Sequence, residues 1–317
     1  MSKVLVTGGA GFIGSNLTEV LLKQGHSVRV LDNFSTGKKE NLIFNKNFPS
    51  LEVMEGNICD LALCGEAIRD REYVFHQAAL PSVQRSVEDP LTSNEVNVEG
   101  TLNILLSARE GGVKRVIYAS SSSVYGESPT LPKVEEMPSN PLSPYALQKY
   151  IGEHYCRLFF QLYGLQTVSL RYFNIFGPKQ DPNSLYSAVI PKFIDALLEN
   201  RPPVVFGDGE QSRDFTYIDN VVQANLLAMS AKETHGEAMN IACGKQTSLN
   251  QLLTILQNVL GSTVSPVYQE PRVGDVKHSL ADISKGKQFL NYVPGVDIEV
   301  GLKKTVEYFK RQKLEKQ

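Results

Sequence analysis

The chain of 317 residues is poor in the side chains that build metal centres and crosslinked scaffolds. Its four cysteines, Cys59, Cys64, Cys156 and Cys243, are too few to staple a fold of this length, and none forms a C-x-x-C pair. They read as reduced, mostly buried thiols. The five histidines, His26, His76, His154, His235 and His278, include no pair at H-x-x-x-H spacing, which leaves a zinc site without ligands. No metal is expected. An excess of one charge is also missing: 32 Lys plus Arg stand against 34 Asp plus Glu, for a net charge of -2. That balance advertises neither nucleic acid nor an anionic membrane as a partner. Charged and amide residues interrupt every apolar stretch before the roughly 20 residues that a membrane span needs. Met1-Ser2-Lys3 runs directly into Val4-Leu5-Val6-Thr7, with no room for a charged leader, an apolar segment and a cleavage site. A soluble cytoplasmic protein without a secretory signal is expected.

At about 150 residues per domain, the length suits roughly two domains or one large α/β unit. The first third alternates short β-branched runs with helical periodicity: Val4 to Thr7, Ile13 to Gln24, Ser27 to Leu31. Further strands are expected at Glu52 to Glu55, Tyr73 to Gln77, Arg115 to Ala119 and Thr167 to Arg171. Helices are expected near Leu61 to Arg69, Ser93 to Glu110 and Tyr145 to Tyr163. This rhythm predicts an α/β fold with a Rossmann-type, doubly wound parallel sheet. After Arg171, Gly177-Pro178, Asp181-Pro182-Asn183, Arg201-Pro202-Pro203 and Gly207-Asp208-Gly209 punctuate shorter elements, which indicates a smaller second lobe. Ala238 to Cys243 still reads as a buried strand and Asp219 to Ser230 as a helix. The expected division is therefore residues 1–173 with later segments near 214–243 returning to them, against a second α/β lobe over 174–317.

Between the first strand and first helix, Gly8, Gly11 and Gly14 satisfy G-x-x-G-x-x-G, while Gly9, Gly11 and Gly14 satisfy G-x-G-x-x-G. Glycine permits the tight turn, lets backbone approach a pyrophosphate, and lets helix pack closely on strand. The helix start then offers free N–H groups and a positive dipole end to phosphates. Asp32 ends the next strand about 20 residues downstream, where a carboxylate accepts both hydroxyls of an adenosine ribose. The same charge repels a 2′-phosphate, so NAD is favoured over NADP.

Of thirteen tyrosines, only Tyr145 has a lysine four residues on, Lys149, a spacing that stacks both on one helix face. A free phenol near pKa 10 is a poor base at neutral pH. A nearby ammonium and a cationic nicotinamide both favour the phenolate, so Tyr145 becomes able to exchange a proton with a substrate hydroxyl. The strand Arg115 to Ala119 empties into Ser120-Ser121-Ser122-Ser123-Val124-Tyr125-Gly126, placing hydroxyls at the carboxyl end of a parallel strand, where ligands bind.

Taken together, these motifs resemble the extended short-chain dehydrogenase/reductases, specifically the nucleotide-sugar 4-epimerase branch, over nearly the whole chain. The resemblance is carried by Thr7 to Gly14, Asp32-Asn33, His76-Gln77-Ala78-Ala79, Asn97-Val98-Glu99-Gly100, the serine run before Tyr125-Gly126, Tyr145 to Lys149, and Arg171-Tyr172-Phe173-Asn174. In the second lobe it is carried by Gly207 to Phe215 and by Pro271-Arg272-Val273-Gly274-Asp275. It implies Tyr145 as catalytic base, Lys149 holding the nicotinamide ribose, Ser121 bonding the sugar 4-oxygen, and Ser122 and Ser123 assisting. For NAD it implies Gly8, Gly11, Phe12, Ile13 and Gly14 at the phosphates. Asp32, Asn33, Ser35, Thr36 and Gly37 would line the ribose loop, and Asn57 and Ile58 the adenine. Gln77, Ala78, Ala79, Asn97 and Tyr172 would line the remaining wall. For the UDP-sugar it implies Ser82, Val83 and Arg85, then Asn174, Ala188, Val189, Lys192 and Phe206. Arg213 and Arg272 would clamp the diphosphate through their guanidinium forks, with Asp275 and Ser279 nearby. Helices near Ser93 to Glu110 and Tyr145 to Tyr163 would form a homodimer bundle.

Within this superfamily a 4,6-dehydratase resembles T-D-E-V-Y-G in the serine loop and a uronate decarboxylase T-S-E-V-Y-G. This chain reads Ser121-Ser122-Ser123-Val124-Tyr125-Gly126, without a carboxylate for chemistry beyond C4, so epimerisation through a transient 4-keto sugar is implied. Where glucose-restricted members carry a bulky tyrosine, Ser279 leaves room for a 2-acetamido group. Ser82 to Ser86, Gln180 to Asn183 and Ser187 to Lys192 also look like the subgroup acting on UDP-N-acetylhexosamines or their uronic acids. One departure is Gly56-Asn57-Ile58-Cys59-Asp60, where relatives commonly read G-D-I-R-D; Asn57 can still accept from an adenine amino group. The alternatives are a UDP-glucose 4-epimerase, a nucleotide-sugar reductase releasing NADH, and a non-catalytic NAD sensor, since a fold does not secure a function.

The base assignment is tested by Tyr145→Phe, which is expected to leave NAD bound and abolish turnover; an active variant contradicts it.

Overall fold

The computed structural model describes residues 1–182, 189–271 and 277–315, the side chains of 44–47 excepted. Six strands open the chain: β1 Lys3–Thr7, β2 Ser27–Asp32, β3 Leu51–Glu55, β4 Tyr73–His76, β5 Arg115–Ser121 and β6 Gln166–Tyr172. With the strand Ala238–Ile241 they form one seven-stranded sheet, ordered Ala238–Ile241, β6, β5, β4, β1, β2, β3, in which every pairing is parallel. The expected doubly wound α/β fold is therefore present. The order reverses between β1 and β4, which opens a crevice above their carboxyl ends.

Central strands of such a sheet are covered on both faces, so their runs are apolar at every position rather than at alternate ones. On one face Val4, Val6, Val28, Val30, Phe75, Ile117 and Val168 pack against Leu17 and Leu21 of α1 (Phe12–Lys23) and against the helix Ile218–Ser230. On the other, Leu5, Leu31, Val74, Val116 and Tyr118 meet Cys64 and Ile68 of α2 (Leu61–Ile68), Ile104 and Leu105, and Cys156 and Phe159. Beyond β6 the elements shorten into two-stranded ladders, Ile175–Phe176 with Thr216–Tyr217, Ser212–Arg213 with Thr247–Ser248, and Val204–Phe206 with Val267–Gln269.

One expectation is refined and one element is added. The single helix expected over Ser93 to Glu110 is three pieces: Pro90–Asn94, a π-turn over Glu95–Glu99, and Gly100–Glu110. The extra residue in the turn lets the buried Asn97 amide grip the backbone of Leu80, Oδ1 accepting from its N–H at 2.8 Å and Nδ2 donating to its carbonyl at 3.2 Å. The helix Val83–Glu88, capped by Ser82, was not legible as an element. Of the cysteines, Cys64 and Cys156 are buried and Cys59 and Cys243 partly so, all four free.

The helix Pro144–Tyr163 carries Tyr145 and Lys149. Ser143 caps it by accepting from the Ala146 N–H, Pro144 occupies its first position, and Gly164 ends it in the left-handed conformation. It lies close to β5 because Gly152 has no side chain: a Cβ there would stand 2.2 Å from Tyr118 Oη. Gly152→Ala is expected to cost about 1–3 kcal/mol by overpacking, read as a lowered thermal midpoint; an unchanged midpoint contradicts this close packing.

Candidate active site

The crevice floor is built by glycine. Gly8 takes φ +67°, and a Cβ on it would lie 2.7 Å from the Ala78 nitrogen; one on Gly14 would lie 2.1 Å from the Gly8 carbonyl oxygen. Neither position admits another residue without moving backbone. The result is that α1 begins directly over β1, with Gly11 at its N-cap and no side chain satisfying its first N–H groups. Phe12, Ile13 and Gly14 thus present backbone donors and the positive helix end to the crevice, a cradle that fits a dinucleotide pyrophosphate. Asp32, buried at the end of β2, accepts from Ala10 N–H with Oδ2 and from Phe34 N–H with Oδ1, both at 2.8 Å. Each oxygen keeps a lone pair for a further donor, as a ribose diol requires. Gly37 closes against this carboxylate, where a Cβ would sit 3.0 Å from Oδ1. Asn33 Oδ1 accepts from Ser35 N–H and Oγ, which shapes the loop leading to Thr36. Asn57 Oδ1 turns back onto Cys59 N–H at 3.1 Å, and Ile58 is buried beside it.

The wall facing the cradle is polar and cross-linked. Thr7 Oγ1 bonds His76 Nδ1 at 2.7 Å and accepts from Ala78 N–H, while His76 Nε2 meets Thr101 Oγ1 at 3.0 Å. Burial drives the His76 pKa down to about 3, with Lys149 adding to the shift, so this histidine is neutral and structural. Gln77 Nε2 donates to Tyr172 Oη and to Asn225 Oδ1, both at 3.2 Å, and Asn225 Nδ2 donates to Tyr172 Oη at 2.9 Å. Ala79 follows on the same segment.

Tyr145 and Lys149 stand on adjacent turns, as their spacing predicts, with the Lys149 ammonium 6.0 Å from the Tyr145 ring and 4.9 Å from the Tyr118 ring. Lys149 is buried and donates to the Ala119 carbonyl at 2.7 Å. Burial lowers its pKa to about 8. Tyr145 differs from the expectation that the lysine favours its phenolate. Burial pushes it up to about 12, and the opposing influence is a hydrogen bond with Ser121. The loop that follows β5 turns sharply: Ser121 caps the short turn Ser122–Tyr125 by accepting from Ser123 N–H. Ser123 Oγ is buried there without a protein partner. The backbone of Tyr145 is itself pinned, its N–H donating to Ser86 Oγ at 3.0 Å.

Residues after β6 include further expected substrate residues. Asn174 adopts φ +38° immediately after β6 and donates to the Asp214 carbonyl. Asp214 is buried and gathers the N–H groups of Cys243, Gly244 and Ala281; burial raises it to about 6 against those bonds. This clamp brings Ser279 beside Arg213, since Ser279 N–H donates to the Ser212 carbonyl at 3.0 Å and Arg213 Nη1 reaches the Lys277 carbonyl at 3.2 Å. Val189 and Lys192 lie on the helix Val189–Leu198, and Phe206 ends the strand Val204–Phe206. Ser82, Val83 and Arg85 form the start of the helix over 83–88, with Ser82 Oγ accepting from Arg85 N–H. Ala188, Arg272 and Asp275 lie outside the described residues.

Three participants were missed by sequence reasoning. Asn225 lies inside a helix with no motif of its own, though a buried mid-helix asparagine signals a tertiary partner, and Ser86 lies in the Ser82 to Ser86 stretch, whose resemblance did not point to its bond with the Tyr145 N–H. Glu153 follows Lys149 by four residues and faces Arg171.

The family model described as the NAD dependent epimerase/dehydratase family matches residues 4–242. A putative UDP-glucose 4-epimerase of Methanocaldococcus jannaschii is 42% identical over 309 residues, 97% of this chain and 98% of that protein. Among solved structures, a UDP-N-acetylglucosamine 4-epimerase from Methanobrevibacter ruminantium in complex with UDP-N-acetylmuramic acid superposes at TM-score 0.94 with 44% identity, covering 98% and 99% of the two chains. A UDP-glucose 4-epimerase of Thermus thermophilus in complex with NAD superposes at 0.87 with 36% identity, covering 97% and 99%.

The electrostatics carry a pH dependence. Lys149 is charged below a pKa of about 8 and neutral above it, so turnover at this site is expected to fall as pH rises through about 8. A pH–rate profile checks this, and a flat profile across that range contradicts it.

Proposed function

The chain belongs to the NAD dependent epimerase/dehydratase family and is an NAD-dependent UDP-sugar 4-epimerase, an isomerase; on that premise we propose UDP-N-acetylhexosamines or their uronic forms as its substrates. The observation that carries the finer reading is Ser279. It stands beside Arg213, which we assign to the diphosphate, and its side chain is shorter than the tyrosine of glucose-restricted members, as a 2-acetamido group requires. Arg85, Ser82 and Val83 at the start of their helix, and Val189 and Lys192 opposite, are assigned to the sugar and its nucleotide.

When bound, NAD supplies reversible hydride acceptance at the sugar C4. The residues of this chain do the rest. Tyr145 takes the proton of the 4-hydroxyl and returns it to the opposite epimer. Ser121, already bonded to Tyr145, shares its hydroxyl with the 4-oxygen. Lys149 holds the nicotinamide ribose, and the cofactor's positive charge offsets the burial that keeps the phenol near 12. Arg213 clamps the diphosphate, with Asn174 at the phosphate or sugar and Phe206 against the substrate, while the hexose turns over between reaction halves. Ser122 and Ser123 offer no carboxylate, which favours epimerisation over elimination or decarboxylation. Asn97 acts through the Leu80 backbone, fixing the segment between Ala79 and Ser82.

Residues 1–173 with returning segments near 214–243 are proposed as the NAD-binding unit and 174–317 as the substrate lobe; the place of Ala238–Ile241 in the main sheet supports this division. A homodimer is supported by Leu147, Leu158 and Leu162, exposed along one face of the Tyr145 helix, with Leu91 and Val87 exposed nearby.

The substrate assignment is tested by incubating the protein with UDP-N-acetylglucosamine, its uronic acid and UDP-glucose separately and resolving products by NMR. Conversion of the acetamido sugars is expected, and Ser279→Tyr is expected to suppress it while sparing UDP-glucose. Conversion of UDP-glucose alone contradicts the Ser279 argument.

A further inference from the structure

Beneath the serine loop, Glu153 and Arg171 form a two-pronged ion pair: Arg171 Nε lies 2.8 Å from Oε1 and Nη2 lies 2.7 Å from Oε2. Their side chains are only 5% and 6% exposed. Neither reaches the crevice where substrate would lie. Both ends of the loop, however, are tied to this pair. Ser120, the residue before Ser121, donates its hydroxyl to Glu153 Oε1. Tyr125, the residue that closes the loop, lies under the Arg171 guanidinium at 4.8 Å and donates to Asn240 Oδ1 at 2.7 Å. Glu153 follows Lys149 by one helical turn, so the pair joins the helix of Tyr145 and Lys149 to the strand end that carries Ser121.

A buried pair of this kind is not needed for stability, because apolar side chains of the same volume serve a core as well. What it offers here is fixed geometry at the end of a strand, where the ladder with β6 stops at Ser121 and Tyr172. We propose that Ser120, Glu153 and Arg171 are positioning residues that hold Ser121 at the Tyr145 hydroxyl. This inference rests on the reading of Ser121 and Tyr145 given above.

Ser120→Ala isolates the effect, since it leaves both Glu153–Arg171 bonds in place and unpairs no charge. In the full chain with its NAD, kcat for the converted UDP-sugar is expected to fall about tenfold from misplacement of the serine, with KM, NAD content and thermal midpoint close to the parent's. Amide hydrogen exchange over residues 121–125 is expected to quicken. A kcat within about twofold of the parent's overturns the proposal, and so does a kcat loss that runs parallel with lost NAD and a lowered midpoint. If the parent converts none of the UDP-sugars, the functional reading fails; the exchange measurement then decides the bracket by itself, unchanged exchange overturning it.

Discussion

The close approach of Gly14 to the Gly8 carbonyl is the constraint on which the site depends. Because no side chain fits at either position, α1 starts at the mouth of the crevice and its unfilled N–H groups point where a pyrophosphate binds. The same closeness brings Ala78 against Gly8, and Thr7 then reaches His76 and, through it, Thr101. One backbone contact therefore fixes the relation between the phosphate cradle, the β4 end and the helix Gly100–Glu110. Asp32 closes the other side by spending its two oxygens on Ala10 and Phe34.

Around that frame the chemistry is a balance between burial and charge. Burial alone would leave Tyr145 a poor base and Lys149 close to losing its proton at neutral pH. On the proposed mechanism the cofactor's positive charge is part of the base, so that Tyr145 is active when NAD is in place and quiet otherwise. Asp214 gathers three backbone N–H groups so that the segments bearing Arg213 and Ser279 stand together.

Much of this was legible because glycine spacing and period-two or period-3.6 patterns are local. The parallel sheet, α1 and the Tyr145 helix follow from residues within a few turns of each other. The Lys149 position on the Tyr145 face was likewise visible as a spacing of four. What stayed hidden depends on contacts far apart in the chain. Asn225 meets Gln77 across 148 residues, and Ser86 meets Tyr145 across 59. The π-turn at Glu95–Glu99 coincides with the bond of Asn97 to Leu80, a contact that helical periodicity does not record. The weight of burial on Tyr145 was hidden for a related reason: proximity of an ammonium is readable from spacing, whereas burial is not.

On the proposed mechanism C4 alone is inverted, and the hydrogen taken from it is given back to it. A UDP-sugar carrying deuterium at C4, followed through conversion in ordinary water by NMR and mass spectrometry, tests this most directly. The epimer is expected to keep its deuterium at C4, with no accumulation of reduced cofactor. Exchange of that deuterium with solvent, or stoichiometric release of reduced nicotinamide, would contradict it.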